Sequence, residues 1–552
     1  MSNTDLLAEA VAMGDLQRVK KYLVPKIDIN KIDTYSLAPL HVAVITEKED
    51  IVKELLTKPE IDINKLSTTS FDGGFTALHW AVAKRNAGIV KLLLNDPKIL
   101  PNTTSSNNFS AFHLACALGY PDMVRLLLEL PEEKLPLDTA NTDSLDSALH
   151  YAAKSGSPEV AKILLDLPEE RIGDVNRTNE HGESPLFTAI RIGDKEVIEV
   201  FLSSNRVQAD KKLPDGSSIL AMAIKNGLLY LAKLLIEKKH MDINEKNNEG
   251  HTLVMIAAIH KRPKTLNYLL EIPDIPVMEV DAEGNTALHH GVKGGDLEVI
   301  KILLDDERIS PNDRNNKGET ALFTAIQFPT AKNSEKINML LEDPRLDPNH
   351  TDDDGNTALL HELSKPRYST VIVQIFIENS RVDINKENRF RKEAPIHRLV
   401  YTSNTNFLKS VLSTKRLDIN KIYHDDCTPL MRLLDGMDGT EPERIVPGFD
   451  IFFGAIVDHP EFEPDAVDKY GETVFFRFFR RVSFFARRGA FDNNPPRVKM
   501  INEILDKLFV IGVNPVLQNN AGETIEKLFG IHIPIKISDK MESIIKKYLK
   551  KK

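Results

Sequence analysis

The sequence predicts an all-α solenoid, in which helix-turn-helix repeats are stacked side by side and joined through hairpin-like tips. Three observations support this fold class. A short phrase recurs along the chain, the spacing of its copies is regular, and an apolar segment with helical periodicity follows each copy. The phrase is a turn former, one variable residue, Thr or Ser, Ala or Pro, Leu, and often His, as at residues 74–79, 284–289 and 318–323.

The turn former sets the register of the repeat. It falls at Ser36, Gly74, Asn108, Leu145, Gly182, Gly216, Gly250, Gly284, Gly318, Gly355, Lys392, Asp426, Gly471 and Gly522. Every step from Gly182 to Gly318 is 34 residues. A repeat of this length is one supersecondary unit that cannot bury its apolar face alone, so we expect neighbouring repeats to cover it.

The elements of a repeat follow in a fixed order. The recurring phrase opens a short first helix, and a second apolar helix follows, as at residues 89–94, 160–165 and 299–304. A stop built from Pro, Asp and Asn comes next, as at residues 59–64, 241–244 and 381–385. Proline cannot continue a helix, and Asp and Asn favour turns.

These motifs resemble those of the ankyrin-repeat family, whose repeats carry Gly-x-Thr-Pro-Leu-His, a Leu-Leu second helix and an Asp-Val-Asn ending. The resemblance covers nearly the whole chain and implies about fourteen or fifteen repeats in a curved stack. It also implies that the motif histidines, at His41, His79, His113, His150, His289 and His397, bond the backbone of a neighbouring repeat. Phenylalanine replaces that histidine at Phe187, Phe323 and Phe476, where we expect tighter apolar packing.

The repeat pattern divides the chain into four segments. Residues 1–34 form an N-terminal capping repeat, and residues 35–425 form the regular repeats. Residues 426–521 hold two divergent repeats, since the steps there lengthen to 45 and 51 residues. We expect these insertions to form loops. Residues 522–552 form C-terminal capping helices and a basic tail.

Composition and motifs disfavour several classes of function. The formal net charge of -10 provides no general attraction for nucleic acid. Two cysteines without metal-ligand spacing fit a reducing compartment, and no apolar run reaches the length of a membrane span. The sequence contains no phosphate-binding loop, H-E-x-x-H or G-x-S-x-G motif. We therefore expect a cytoplasmic monomer that is no enzyme and takes no cofactor, metal or small-molecule substrate; a nuclear location stays open.

A basic ladder is the first candidate partner site. The family's partner-facing position immediately after the first helix holds Lys154, Arg191, Lys225, Ile259 and Lys293 in five successive repeats. An acidic peptide or acidic helix would complement four cations at one register. The alternative is a row of ordinary solvated side chains.

Aromatic residues give two further candidates. Phe75 and Phe109 near the tips, close to the only tryptophan, Trp80, are interpreted either as interface anchors or as packing within the stack. Residues 475–488 interleave phenylalanine with Arg477, Arg480, Arg481, Arg487 and Arg488. We interpret this segment as an amphipathic packing helix with arginines projecting outward. A dock for a protein or phosphorylated ligand and a surface for nucleic acid or anionic lipid are the alternatives.

The turn asparagines Asn30, Asn64, Asn244, Asn385 and Asn420 resemble the site at which ankyrin repeats are hydroxylated, although an asparagine that caps its own backbone explains them as well.

Taken together, the sequence predicts a non-catalytic scaffold that binds a protein on the concave face and tips of the stack. An adaptor for a ubiquitin ligase or signalling complex and a host-directed effector are the alternatives.

Overall fold

The computed structural model describes most of the chain, as two compact units. The described residues are 3–24, 27–33, 35–68, 74–105, 109–137, 144–328, 332–399, 405–422, 427–435, 453–454, 456–486, 495–512, 514–525 and 535–551. Unit 1 is Met1–Pro276 and unit 2 is Val277–Lys552. The segment boundaries at 34/35, 425/426 and 521/522 remain predictions.

Both units are built from paired helices. Those of unit 1 are α1 Asn3–Met13, α2 Leu16–Tyr22, α3 Pro39–Ile45, α4 Glu49–Leu56, α5 Ala77–Ala83, α6 Ala87–Leu94, α7 Ala111–Ala117, α8 Pro121–Leu128, α9 Ala148–Ser155, α10 Pro158–Leu165, α11 Glu169–Ile172, α12 Pro185–Ile192, α13 Lys195–Ser203, α14 Ile219–Asn226, α15 Leu229–Glu237, α16 Leu253–Ile259 and α17 Pro263–Leu270.

Those of unit 2 are α18 Ala287–Gly294, α19 Leu297–Asp305, α20 Ala321–Gln327, α21 Asn333–Glu342, α22 Ala358–Leu363, α23 Thr370–Glu378, α24 Pro395–Leu399, α25 Thr405–Ser413, α26 Pro429–Asp435, α27 Val474–Ala486, α28 Pro495–Val510 and α29 Ile535–Lys551. Within a unit, first helices pack on first helices and second helices on second helices, as α5 does on α7 and α6 on α8. Each apolar face is therefore covered by the next repeat.

The recurring phrase starts the first helix by side-chain capping. In α5, the Thr76 hydroxyl accepts the backbone N–H of His79, and the Thr76 N–H donates to His79 Nδ1 at 3.2 Å. In α12, the Ser184 hydroxyl accepts the N–H of Phe187, and Pro185 follows in the first helical turn. Hydroxyl caps satisfy backbone donors that have no partner inside the helix, and proline is tolerated there.

The tip turns share one backbone conformation. All twelve turn formers that the structure describes have positive φ, including the non-glycine residues Ser36 (66°), Leu145 (56°) and Lys392 (54°). Neighbouring tips within a unit are linked by backbone bonds, such as Asn316 N–H to Glu283 O at 3.0 Å. In the described part of the chain, β contacts amount to isolated bridges such as Thr351 with Thr357, so the fold is all-α.

An arginine from the following repeat closes the carboxyl end of several second helices. Arg381 donates to the carbonyls of Leu341, at 2.9 Å, and Asp343, at 2.8 Å, and to two further carbonyls in that loop. Arg416 repeats the arrangement at the end of α23. The terminal carbonyls of a helix lack internal partners, and a cation at that end also complements the helix dipole.

The turn asparagines join consecutive repeats. The Asn385 amide donates to Arg416 O at 2.7 Å, and its carbonyl accepts the N–H of Asp418 at 2.7 Å. Asn64 makes the same pair of bonds to Lys98 and Leu100. The interpretation that such an asparagine caps its own backbone is thus wrong for these residues. The preceding aspartate does the local capping, as Asp383 does for the N–H of Asn385.

The long repeat after Gly471 lengthens its helices. Helix α27 has 13 residues, whereas the first helices of regular repeats have five to eight. Helix α28 has 16 residues, whereas their second helices have eight to ten. The expectation that the extra residues form loops is wrong for this part of the repeat. The reason is apolar burial: Phe475, Phe476, Phe478 and Phe479 are all at most 2% exposed.

Candidate partner-binding surfaces

The motif histidines are structural. The Nε2 atoms of His150, His289 and His397 lie 2.9, 3.0 and 2.9 Å from a backbone carbonyl of the next repeat. Their Nδ1 atoms accept a backbone N–H from the residue that caps their own helix. Each ring is therefore neutral with its proton on Nε2, and burial lowers its pKa below the ordinary value.

The ladder cations lie in the last turn of their first helices, and two of them are paired internally. Lys154 forms an ion pair with Asp146, and Arg191 Nε lies 3.1 Å from Glu183 Oε1. Each carboxylate precedes the helix cap by one residue and stands eight positions before its cation. Both carboxylates are mostly buried, so these pairs reduce the charge that a partner would meet.

Lys225 and Lys293 keep their charge available. Both are exposed, and neither has a carboxylate partner among the described residues. The residue one position before the helix cap is Ser217 in the Lys225 repeat and Asn285 in the Lys293 repeat. Neither residue is an acid, so these repeats lack the carboxylate that pairs with the cation at Lys154 and Arg191. The Lys293 ammonium lies 5.1 Å from the centre of the Phe328 ring.

A pocket of about 300 Å³ adjoins Lys293 in unit 2. Its lining includes His290, Lys317, Glu319 and Phe328. The Glu319 carboxylate accepts from Asn315 at 3.2 Å and from the Gln327 amide. The pocket thus joins an aromatic ring, amide groups, two lysines and two carboxylates, those of Glu283 and Glu319. Lys293 has no ion-pair partner among the described residues. The ring, the amides and this lysine are groups that orient a carboxylate-bearing side chain.

Four aromatic residues of unit 1, Phe75, Trp80, Phe109 and Tyr151, form what we call the aromatic strip. All four are partly exposed. Phe75 meets Trp80 edge to face at 5.5 Å, and Phe109 meets Tyr151 in the same way at 5.1 Å. Phe75 also stacks on His79, so its ring packs within the repeat and is partly exposed at the surface.

The phenylalanine and arginine segment packs as a helix. Phe475, Phe476, Phe478 and Phe479 are buried. The prediction that the arginines project outward is wrong for Arg477. Its side chain is 11% exposed and its Nε lies 2.8 Å from Asp468 Oδ2. Arg480 is half exposed and paired with Glu472. Arg481 lies on α27 with its side chain outside the described part, and Arg487 and Arg488 fall outside the described residues.

Sequence reasoning missed two features. Arg345 also donates to carbonyls of the preceding repeat, those of Leu304 at the end of α19 and Ile309 in the loop after it. We call Arg345, Arg381 and Arg416 the clamp residues. Each stands two positions before the aspartate of the stop signal, a recurrence that is visible in the sequence. The internal pairing of Lys154 and Arg191 also had a signal, since an acid stands eight residues before each cation. Among the helices that the structure describes, none combines the length and the apolar composition of a membrane span.

The stacked helix pairs, the tip turns and the histidine bridges define a repeat protein of the solenoid class. The family model for ankyrin repeats (three copies) matches residues 6–105, 64–138, 98–179, 136–215, 186–278 and 274–352. Together these matches cover more than half of the 552 residues. The chain therefore belongs to the ankyrin-repeat family.

Individual relatives match parts of the chain. An ankyrin repeat-containing protein of Arabidopsis thaliana is 28% identical over 130 residues, 23% of this chain and 24% of that protein. A probable serine/threonine-protein kinase of Dictyostelium discoideum is 34% identical over 124 residues, 22% of this chain and 13% of that protein. The chain thus spans about a quarter or less of these curated relatives.

Among solved structures, the ankyrin repeat domain of Bcl-3, a member of the IkappaB protein family, is 27% identical, with a TM-score of 0.35. The match covers 40% of this chain and 94% of that domain. Ankyrin repeats are generally protein-interaction domains and are typically non-catalytic. The family thus implies a protein partner and leaves its identity open.

Proposed function

We propose that this chain is a protein-interaction scaffold that holds an acidic segment of a partner at the ladder position. The observation that carries the proposal is the pocket beside Lys293, whose ammonium lacks an ion-pair partner among the described residues. A carboxylate there would gain a charge-assisted hydrogen bond, and the Phe328 ring would supply apolar contact. Lys225 is a second exposed lysine at the same register, in unit 1.

Internal pairing supports the choice of these two lysines. Asp146 and Glu183 already stabilise Lys154 and Arg191, so an acidic ligand would have to compete with a buried carboxylate at those positions. No carboxylate in the described part of the chain forms an ion pair with Lys225 or Lys293. We therefore expect an acidic ligand to bind mainly at these two lysines, rather than equally at all four cations of the ladder.

Charge reversal tests the proposal. An array of synthetic peptides with acidic, neutral and basic sequences is probed with the full chain, and we expect acidic peptides to be retained. Lys225→Glu combined with Lys293→Glu should abolish that selection. Lys301→Glu is a matched control, because Lys301 is exposed on the second helix of the Lys293 repeat and lies outside the pocket lining. Equal retention of acidic peptides by the double variant would refute the proposal.

The setting of this interaction is part of the same proposal. We place the protein in the cytoplasm as a monomer, and we include the finer role of an adaptor that brings its partner to a larger assembly. Sedimentation, imaging of a tagged chain and copurification with ubiquitin-ligase subunits test these three points separately.

A further inference from the structure

Two consecutive repeats of unit 2 each hold one half of an ion pair that other repeats complete. Three repeats place an acid eight positions before a cation and pair the two: Asp146 with Lys154, Glu183 with Arg191 and Glu472 with Arg480. Lys293 stands at the cation position, but the acid position of its repeat holds Asn285. In the next repeat Glu319 stands at the acid position, but the cation position holds Gln327. The two repeats therefore carry one unmatched charge of each sign.

Glu319 is a mostly buried carboxylate without a cation. The residue is 6% exposed, lines the pocket and forms no ion pair among the described residues. Each of its carboxylate oxygens accepts one hydrogen bond from a neutral amide, one from Asn315 and one from Gln327. A carboxylate oxygen accepts more than one bond, and a buried charge without a counter-charge is costly. A cation that enters the pocket would therefore be stabilised at Glu319.

The two unmatched charges lie at the same level of the pocket. Gln327 is the last residue of α20 and holds the Glu319 carboxylate, and Lys293 is in the last turn of α18. Helices α18 and α20 pack against each other, and packed helices lie about 8–10 Å apart. Lys293 and Glu319 do not pair with each other, yet both line the pocket. A ligand with one acidic and one basic group would therefore pair with both.

The other charged groups of the pocket agree with a ligand of mixed charge. Glu283 and Lys317 are both exposed, stand one position before the turn glycines of neighbouring tips, and are opposite in sign. His290 is already bonded to the buried Asp281, with 2.7 Å between His290 Nε2 and Asp281 Oδ2. The pocket thus has two lysines and two glutamates, and a wholly acidic ligand would meet repulsion as well as attraction.

We propose that this pocket binds a partner segment in which an acidic residue and an arginine stand close together, the acid at Lys293 and the guanidinium at Glu319. Arginine suits Glu319 because a planar guanidinium donates two parallel bonds to the two oxygens of a carboxylate. The inference rests on the proposed function, which places the acidic group at Lys293. It adds the basic group and the residue that selects it.

Peptides that differ in one charge at a time test the pairing. Four pools of labelled synthetic peptides carry glutamate with arginine, glutamate with citrulline, glutamine with arginine, or glutamine with citrulline, at every spacing up to four residues. Citrulline has nearly the shape of arginine without its charge. Fluorescence anisotropy measures binding to the full chain. We expect the glutamate–arginine pool to bind about tenfold more tightly than either pool with a single charge.

Gln327→Arg supplies the missing cation from within the chain. The new guanidinium would stand eight positions after Glu319, which is the arrangement that Glu183 and Arg191 show. We therefore expect the variant to fold. Its preference for arginine over citrulline should disappear, because Glu319 is then paired internally, whereas its preference for glutamate over glutamine should persist at Lys293.

Gln374→Arg is the matched control. Gln374 also donates to a glutamate, Glu378 at 2.7 Å, and lies outside the pocket lining. The substitution changes the net charge of -10 by the same amount as Gln327→Arg, so it reports any general attraction of arginine to the acidic chain. We expect it to leave the preference for arginine unchanged.

Three results would overturn the inference. They are equal affinities of the wild-type chain for the glutamate–arginine and glutamate–citrulline pools, a folded Gln327→Arg chain that still prefers arginine, and an equal loss of that preference in Gln374→Arg. A wild-type chain that prefers glutamate but not arginine refutes this inference alone, and one that prefers neither refutes the proposed function as well. Because the wild-type comparison is decisive, a variant that fails to fold does not leave the question open.

Discussion

Lys336 occupies a position where other repeats bury an aliphatic side chain, such as Val160 and Val299. It is fully buried, and its ammonium donates to Phe328 O at 2.6 Å and lies 3.4 Å from Val292 O. Both carbonyls lie at the carboxyl ends of first helices, where the helix dipole favours a cation. Burial nevertheless lowers the pKa of Lys336 from 10.5 to about 8.

This lowered pKa predicts a stability that rises with pH. Between pH 8 and 10.5 the unfolded chain holds a proton on Lys336 that the folded chain has released, so raising the pH favours folding. We expect Lys336→Met to be more stable than the wild type by about 1–3 kcal/mol at pH 7 and to lose this pH dependence. Urea unfolding at pH 7 to 9.5, below the titration of tyrosine, measures both effects.

Lys301→Met is the control, because Lys301 is exposed on the equivalent helix of the preceding repeat. It should leave the slope of stability against pH as it is in the wild type. A Lys336→Met chain whose stability varies with pH as the wild type's does would contradict the prediction.

Arg381 acts through geometry as much as through charge. Its planar guanidinium reaches four carbonyls of the preceding repeat, which an ammonium on a flexible stem cannot do at once. We expect Arg381→Lys to lower the free energy of unfolding by about 2 kcal/mol, since several charge-assisted bonds are lost. Denaturant unfolding measures it. Arg391→Lys, on an exposed arginine of the next tip, should change it little.

The tip turns that the structure describes share one backbone conformation, although the residue at the turn position varies. Nine of the twelve described turn formers are glycine, which adopts positive φ without steric cost. Leu145 adopts φ of 56° although its Cβ disfavours that region, and its side chain is 43% exposed with little packing to offset the strain.

Leu145→Gly should therefore stabilise the fold by about 0.5–1 kcal/mol, the relief of strain exceeding the extra freedom of glycine in the unfolded chain. Thermal unfolding followed by circular dichroism measures the gain. Gly284→Ala should have the opposite effect and destabilise the fold. A Cβ at this position would lie 2.7 Å from the Asn316 backbone nitrogen, and the residue has a positive φ of 79°. A Leu145→Gly chain that melts below the wild type would show that the Leu145 side chain contributes to packing.

Sequence alone predicted the elements that repeat and missed contacts that depend on stacking. The helix pairs and the turns follow from the recurring phrase, and the histidine bridges follow from the resemblance to the ankyrin-repeat family. The Arg381 clamp was missed because its carbonyls lie 35 to 40 residues earlier in the chain. The length of the insertion after Gly471 predicts loops, whereas the burial of Phe475, Phe476, Phe478 and Phe479 favours longer helices.

Repetition makes small local effects add up over the molecule. The same histidine contact recurs in both compact units, as His150 in the first and as His289 and His397 in the second. In each case Nδ1 accepts a backbone N–H, so protonation would place two donors face to face. Stability in repeat proteins is close to a sum of repeat and interface terms.

Acid should therefore destabilise the whole chain before its aspartates titrate. The folded-state pKa of each of these histidines lies below the ordinary 6.5, so their contribution is full above that pH and is lost as the pH falls below it. The loss is up to about 1.4 kcal/mol per histidine for each pH unit. Glu245 and Glu472 act in the opposite direction, since burial raises the pKa of both carboxyls.

A triple variant isolates the histidine contribution. His150→Phe, His289→Phe and His397→Phe introduce the residue that stands naturally at Phe187 and Phe323. Urea midpoints of the wild type should fall between pH 7 and pH 5, and those of the triple variant should fall by clearly less. The glutamates are common to both chains and cancel in the comparison. Parallel pH curves for the two chains would mean that protonation of these rings does not destabilise the stack.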